Sequence, residues 1–306
     1  MKIKLKMTEK LWQGWKYWKN KTQLEKDAID SMLKAKDYIL KNIPKKEIVS
    51  IYARGSFVRR EMTKNSDIDL LVILKTSKYL RNAEKIGEKV LYIYSVPVHF
   101  SFFTLKELET GKIIENKKEM VPPRLFLSGR FRNTKSLIYG EELPFDKLAH
   151  ATDQEYLERV LFRFDYSLKE IERNISWKNL IKDLFYLIES EQWVKGKETP
   201  IKYREMASLL ENKNPIIKEI VYYLLDTSPE EVGIKERKRF VKQAKKYIKN
   251  SHYWYYKKIK NKSTFYAWKK LQIEKIDPWI GHIGERINKN SPKTYKFLKK
   301  IKPKIK

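Results

Sequence analysis

Asp67 and Asp69 carry the most chemistry in their spacing. They interrupt an apolar run, Asp67-Ile68-Asp69-Leu70-Leu71-Val72-Ile73-Leu74, in which Ile68, Leu70 and Val72 alternate with Asp67, Asp69 and Leu71. Alternation predicts a strand, and a strand sends residues i and i+2 to the same face. Two carboxylates on one face suit Mg²⁺, a hard cation that takes oxygen ligands. Gly55-Ser56 stands ten residues upstream of this pair, after Arg54 and the strand-like run Ile48–Ala53. A strand that ends on Gly-Ser and opens a short helix offers free N–H groups to phosphate. The glycine lets the backbone approach closely, and Ser56 adds a hydroxyl. Arg54, Arg59, Arg60 and Lys64 are the nearby positive groups suited to holding a triphosphate. The constellation predicts Mg²⁺ (or Mn²⁺) with a nucleoside triphosphate. Such a cation aligns an attacking hydroxyl and neutralises a leaving pyrophosphate.

The segment RGSFVRREMTKNSDIDLLVIL resembles the DNA polymerase β-type nucleotidyltransferase superfamily. It is most similar to the small prokaryotic members with glycine-serine, ten residues, then Asp-x-Asp. These include the minimal nucleotidyltransferases paired with HEPN-type helical proteins and the kanamycin nucleotidyltransferase relatives. The resemblance covers Ile48–Leu74 and extends more loosely through Phe102–Leu108 to Leu137–Leu143. It implies an α+β fold: a nucleotidyltransferase-type small mixed sheet with helices, then an α-helical bundle and a basic helical tail. It also implies transfer of a nucleoside monophosphate from an NTP to a hydroxyl, with Asp67 and Asp69 on the metal and Gly55 and Ser56 on phosphate.

Active members generally use a third carboxylate on a neighbouring strand. Here that strand reads Val96-Pro97-Val98-His99-Phe100-Ser101-Phe102, with His99 and Ser101 inward and no acid. His99 as catalytic base or ligand stands against a plain strand histidine hydrogen-bonded beside the site. Mg²⁺ prefers oxygen, and two carboxylates can still bind a metal-nucleotide without turnover. A HEPN ribonuclease would need an Arg four to six residues before a His, and none of the 4 histidines has one.

The flanking elements are readable. Thr22 with Glu25 is a capping box opening a helix whose stripe is Leu24, Ala28, Met32, Leu33, Ala35 and Ile39, closed by Asn42-Ile43-Pro44. Leu91–Tyr94, Val96–Phe103 and Ser136–Tyr139 read as further strands, and Thr104 with Glu107 caps a short helix. Thr152 with Glu155 opens a helical part. Helices are expected at Leu180–Val194, Tyr203–Leu210, Ile216–Leu225 and Lys235–Lys260, punctuated by Pro200, Pro215 and Pro229. This divides the chain into basic, tryptophan-bearing helices (1–43), the nucleotidyltransferase-like domain (44–148), a helical domain (149–260) and a basic tail (261–306).

Charge points to the partner. The 306 residues carry a formal charge of +29, with no Cys and 4 His. Disulfides, Cys-based zinc sites and thiol nucleophiles are excluded. No apolar run reaches a membrane-spanning length, and no leader pattern opens the chain, so a cytoplasmic protein that spans no membrane is expected. From Lys235 to the end there are 24 Lys and Arg against 4 Asp and Glu, interleaved with Tyr253, Trp254, Tyr255, Tyr256, Phe265, Tyr266 and Trp268. Cations release counterions from phosphates and aromatics stack on unpaired bases. Arg237, Lys238, Arg239, Lys245, Lys246, Lys249, Lys257, Lys258, Lys269 and Lys270 are therefore the expected RNA contacts. A polycationic aminoglycoside suits this chain poorly as acceptor.

Three functions follow as alternatives. The first is an NMP-transferring enzyme acting on RNA. The second is a catalytically silent factor gripping structured RNA such as a ribosomal subunit, for storage or silencing. The third is a toxin–antitoxin enzyme that modifies a partner protein. Trp12, Trp15 and Trp18 share one helical face, which docks on the core or on a second subunit, so a homodimer is a further expectation.

Overall fold

A computed structural model describes residues 14–90, 93–110, 113–115, 118–120, 134–144, 148, 153, 156, 157, 160, 161, 164, 177–212, 214–227 and 231–259. Side chains of 90, 113–115, 118–120 and 251–259 are not among those described. The chain forms two units, Met1–Gly111 with Pro122–Ala244, and Lys112–Val121 with Lys245–Lys306.

In the first unit, α1 (Gln23–Asn42) begins at the expected capping box. Thr22 Oγ1 accepts from the Glu25 N–H, and Glu25 Oε2 accepts from the Thr22 N–H. Next come β1 (Ile48–Arg54), the four-residue α2 (Ser56–Arg59), β2 (Ile68–Leu74), α3 (Leu80–Val90), β3 (Val98–Thr104) and α4 (Leu105–Thr110). The hairpin strands β4 (Ile113–Glu115) and β5 (Lys118–Met120) belong to the second unit, pairing Ile113 with Met120 and Glu115 with Lys118. β6 (Lys135–Gly140) returns to the first.

The main sheet has the order β3-β2-β1-β6. β1 is antiparallel to both β2 and β6, whereas β2 and β3 are parallel. A parallel pair needs a crossover, and α3 supplies it. The expected strand at Leu91–Tyr94 is not found. Ile93 and Tyr94 sit in a turn and a bend, and residues 91–92 lie outside the described part. α3 ends at Val90, before this run begins, and β3 starts only at Val98.

One sheet face packs on α1 and α3. Ala28, Met32, Ala35 and Ile39 meet Ile51, Ala53, Ile68, Leu70 and Val72, all fully buried. Gly87 marks the closest approach of α3, since a Cβ there would come within 2.9 Å of the Phe102 ring. Trp15 lies in a 3₁₀ turn, Gly14–Tyr17, and is buried in this same core. The Trp18 and Phe57 rings meet tilted at 48°, with centroids 5.0 Å apart. These two tryptophans are thus used inside their own chain, and Trp12 lies outside the described residues.

The helical part keeps its expected boundaries within a few residues: α5 (Trp177–Val194), α6 (Tyr203–Leu210), α7 (Ile216–Leu225) and α8 (Ile234–Ile259). Asp153, Tyr156, Leu157, Val160, Leu161 and Phe164 are also helical, while Thr152 and Glu155 lie outside the described residues. Trp177, Tyr223 and Phe240 meet edge to face at 5.1–5.5 Å and close this core. Among the described residues no helix is long and apolar enough to cross a membrane.

Candidate nucleotide site

The strand register assembles the site. Arg54 of β1 pairs with Asp69 of β2, Asp69 pairs with His99 of β3, and Lys135 of β6 pairs with Arg54. Directly paired residues share a face, so Lys135, Arg54, Asp69 and His99 form one row across all four strands. It lies on the face opposite the α1–α3 core. Asp67 stands one residue before β2. It is exposed, and its carboxylate makes no hydrogen bond or ion pair among the described residues.

Gly55 links the two halves of the motif. Its backbone (φ 76°, ψ −145°) is one that only glycine adopts readily. A Cβ there would lie 2.8 Å from Asp69 Oδ2. The turn that starts α2 is therefore pressed directly against the carboxylate. Arg59 N–H and Glu61 N–H close α2 on Gly55 O and Ser56 O. No side chain caps its first turn, leaving the opening N–H groups to be met from outside.

The cations near this turn divide by role. Arg54 Nη2 donates to Ser101 Oγ at 3.0 Å and lies 3.9 Å from Asp69 Oδ1. Its side chain is 15% exposed against 36% for Asp69. Arg59 is buried. Its Nε donates to Glu61 Oε2 at 3.0 Å, and its guanidinium lies 4.3 Å from the Tyr203 ring centre. Arg60, in the left-handed region at φ 57°, turns back toward α1 and donates twice to Glu25, at 2.8 and 3.0 Å. It also covers Trp18. This bidentate pair holds the Glu25 carboxyl below its ordinary range. Lys64 is exposed and 3.8 Å from Glu231. Of the four expected triphosphate cations, only Arg54 lies in the row with Asp69, while Arg59 and Arg60 brace the loop.

Three residues on this face or in the loop beside it had no signal in the linear pattern. Lys135, 66 positions from Asp69, enters the row through β6 and pairs with Glu142 at 2.9 Å. Tyr52 donates to Glu141 O at 3.2 Å and accepts from the Leu143 N–H at 2.8 Å, tying the chain after β6 to β1. Burial pushes its phenol well above the usual range. Glu61 receives the Arg204 N–H of α6, joining the loop after Gly-Ser to the helical part. Only a strand register or a fold contact brings these together.

Asp67 and Asp69 offer carboxylate oxygens, the donor type that Mg²⁺ takes. Among the described residues no group of three or more His, Cys, Asp or Glu gathers as a metal cluster. Glu107, the carboxylate nearest the end of β3, is spent capping α4 through Thr104. β3 carries no carboxylate, and His99 stands in the row beside Asp69.

Of the expected RNA contacts, Lys238, Lys245, Lys246 and Lys249 are exposed on α8. Arg239 is exposed and pairs with Glu219 at 2.9 Å. Arg237 donates to Val232 O and lies over Trp177. Lys257 and Lys258 fall on α8 without a described side chain, and Lys269 and Lys270 lie outside the described residues.

A four-stranded mixed sheet carrying Gly-Ser at the end of one strand and Asp-x-Asp on the next defines a nucleotidyltransferase fold. Residues 34–122 match the family model described as nucleotidyltransferase domain. No curated protein matches the sequence. Among solved structures, spectinomycin adenyltransferase AAD(9) from Enterococcus faecialis, determined with ATP and spectinomycin, is similar at 13% identity. That alignment covers 73% of this chain and 98% of that one, with a TM-score of 0.47.

Proposed function

We propose that this protein transfers a nucleoside monophosphate from a metal-bound NTP to a hydroxyl of RNA. The observation that carries the reading is the contact of Gly55 with Asp69, which makes one site of the phosphate turn and the Asp-x-Asp pair. Asp67 and Asp69 would hold the cation, which supplies charge neutralisation for the departing pyrophosphate. Ser56 and the first turn of α2 bind phosphate oxygens. Arg54, held by Ser101, offers its remaining donors beside Asp69. His99, in the same row, is the side chain positioned to take the proton of the attacking hydroxyl. The acceptor is assigned from charge. A +29 chain with exposed lysines on α8 draws a polyanion and repels a polycationic antibiotic.

The test is label transfer. The protein is incubated with each α-labelled NTP, Mg²⁺ or Mn²⁺ and total cellular extract, and RNA and protein are then resolved. Label on RNA that disappears in Asp67→Ala/Asp69→Ala supports the reading. Label on protein moves the acceptor to a polypeptide hydroxyl, and no label on either sinks the transferase. A second reading, a nucleotide-binding platform that holds structured RNA or a ribosomal subunit without turnover, is favoured by one observation: the residue across from Asp69 is His99 and not an acid. Co-sedimentation with ribosomal subunits in the absence of any label transfer would select it.

A further inference from the structure

We infer that this site takes one divalent cation, with the nucleotide, and that the Arg54 guanidinium fills the place of a second. The inference rests on the nucleotide reading above and concerns how the site balances its charge. Two-metal sites hold their ions about 3.5–4 Å apart and share a carboxylate between them. The carboxylate available for sharing here is Asp69, which has a neighbour on each side: Arg54 on β1 and His99 on β3.

The ground beside Asp69 is already taken. Arg54 does not point along its own strand. Its Nη2 crosses β2 to donate to Ser101 on β3, passing 3.9 Å from Asp69 Oδ1. Ser101 is two residues beyond His99, so the guanidinium covers the span between Asp69 and β3 where a shared ion would need ligands. A dication placed there would sit about 4 Å from the Arg54 guanidinium, with an imidazole ring and a hydroxyl in place of a compensating carboxylate. Mg²⁺ rejects that donor set. The guanidinium is held instead. It is largely buried, its Nε is covered with no acceptor among the described residues, and Ser101 fixes its tip. Lys135 extends the positive row on the far side of Arg54. Asp67, exposed and one residue before β2, keeps the other flank of Asp69 open for a single ion and the phosphates it carries.

The experiment counts bound Mn²⁺ by electron paramagnetic resonance on the full chain, with a non-hydrolysable NTP analogue whose own binding is followed by equilibrium dialysis. The expected result is one Mn²⁺ per bound analogue, with no signature of spin-coupled pairs. Arg54→Ala combined with His99→Asp restores a carboxylate opposite Asp69 and clears the cation, so it should take a second Mn²⁺. Two ions per analogue in the unmodified protein would overturn the inference and leave the nucleotide reading intact, and analogue bound without any Mn²⁺ would do the same. Failure to bind the analogue at all would overturn the nucleotide reading, and the inference with it. The count on the unmodified protein decides the matter even where the double variant does not fold.

Discussion

Replacing Gly55 by Ala tests the joint between phosphate turn and acid pair. At φ 76° and ψ −145° a side chain is strained, at a cost of about 1–3 kcal/mol. The new methyl would also start 2.8 Å from Asp69 Oδ2, so either the turn or the carboxylate has to move. For a domain of this size each kcal/mol lowers Tm by about 2–4 °C, so a fall of roughly 2–12 °C is expected in thermal unfolding followed by circular dichroism. Displacing Asp69 also costs binding at the site. Retention of a non-hydrolysable NTP with Mg²⁺ should weaken more than about tenfold, the equivalent of 1.4 kcal/mol. A Gly55→Ala protein with unchanged Tm and unchanged nucleotide retention would refute the claim that the two halves of the motif touch. A Tm loss with normal retention would refute only its functional side.

Other outcomes follow from the same geometry. Gly140→Ala places a Cβ 2.0 Å from Val49 O at φ 82°, so it should destabilise more than Gly55→Ala, read as a larger fall in the urea midpoint. Tyr52→Phe leaves the half-buried Leu143 N–H without its acceptor and should cost about 1 kcal/mol in the same assay. The Glu25 carboxyl is held below its ordinary 4.5 chiefly by Arg60. Its folded value is depressed, so the pair's contribution is present above pH 4.5 and is lost as pH falls through the lowered value. The urea midpoint of Arg60→Gln should therefore lie below that of the unmodified protein at neutral pH and converge with it in acid. RNA affinity should fall steeply with salt, and Lys246→Gln/Lys249→Gln should shallow the logarithmic slope by about 0.7 for each phosphate contact removed from a single strand. An unchanged slope would take these lysines out of the interface.

Much of the fold is local and was therefore legible. α1 announces itself through Thr22 and Glu25, and α6 and α7 follow Pro200 and Pro215 with boundaries that match the helical spacing. β1, β2, β3 and β6 are visible as β-branched and aromatic runs. The crossover helix α3 carries an unbroken stripe, Leu80, Ala83, Ile86 and Val90, on an otherwise polar segment, and its Gly87 is kept for a close approach to Phe102. The acid pair and the Gly-Ser turn were legible because their spacing is fixed by one strand–turn–strand unit. What was not legible depends on register. His99 falls opposite Asp69, and Arg54 reaches Ser101 only because β3 lies beside β2 after a long crossover. Arg59 and Arg60 look like phosphate ligands in a linear reading, yet Glu61 and Glu25 claim them once the loop folds back.

The most direct test of the central claim is pyrophosphate release with RNA as acceptor. Purified protein, NTP and Mg²⁺ are mixed with RNA whose terminal ribose is either intact or opened by periodate oxidation. The account predicts pyrophosphate released in step with label entering intact RNA, abolished by oxidation of the terminal ribose and by Asp69→Ala. Nucleotide that binds at Asp67 and Asp69 yet never yields pyrophosphate, whatever the RNA, would contradict it.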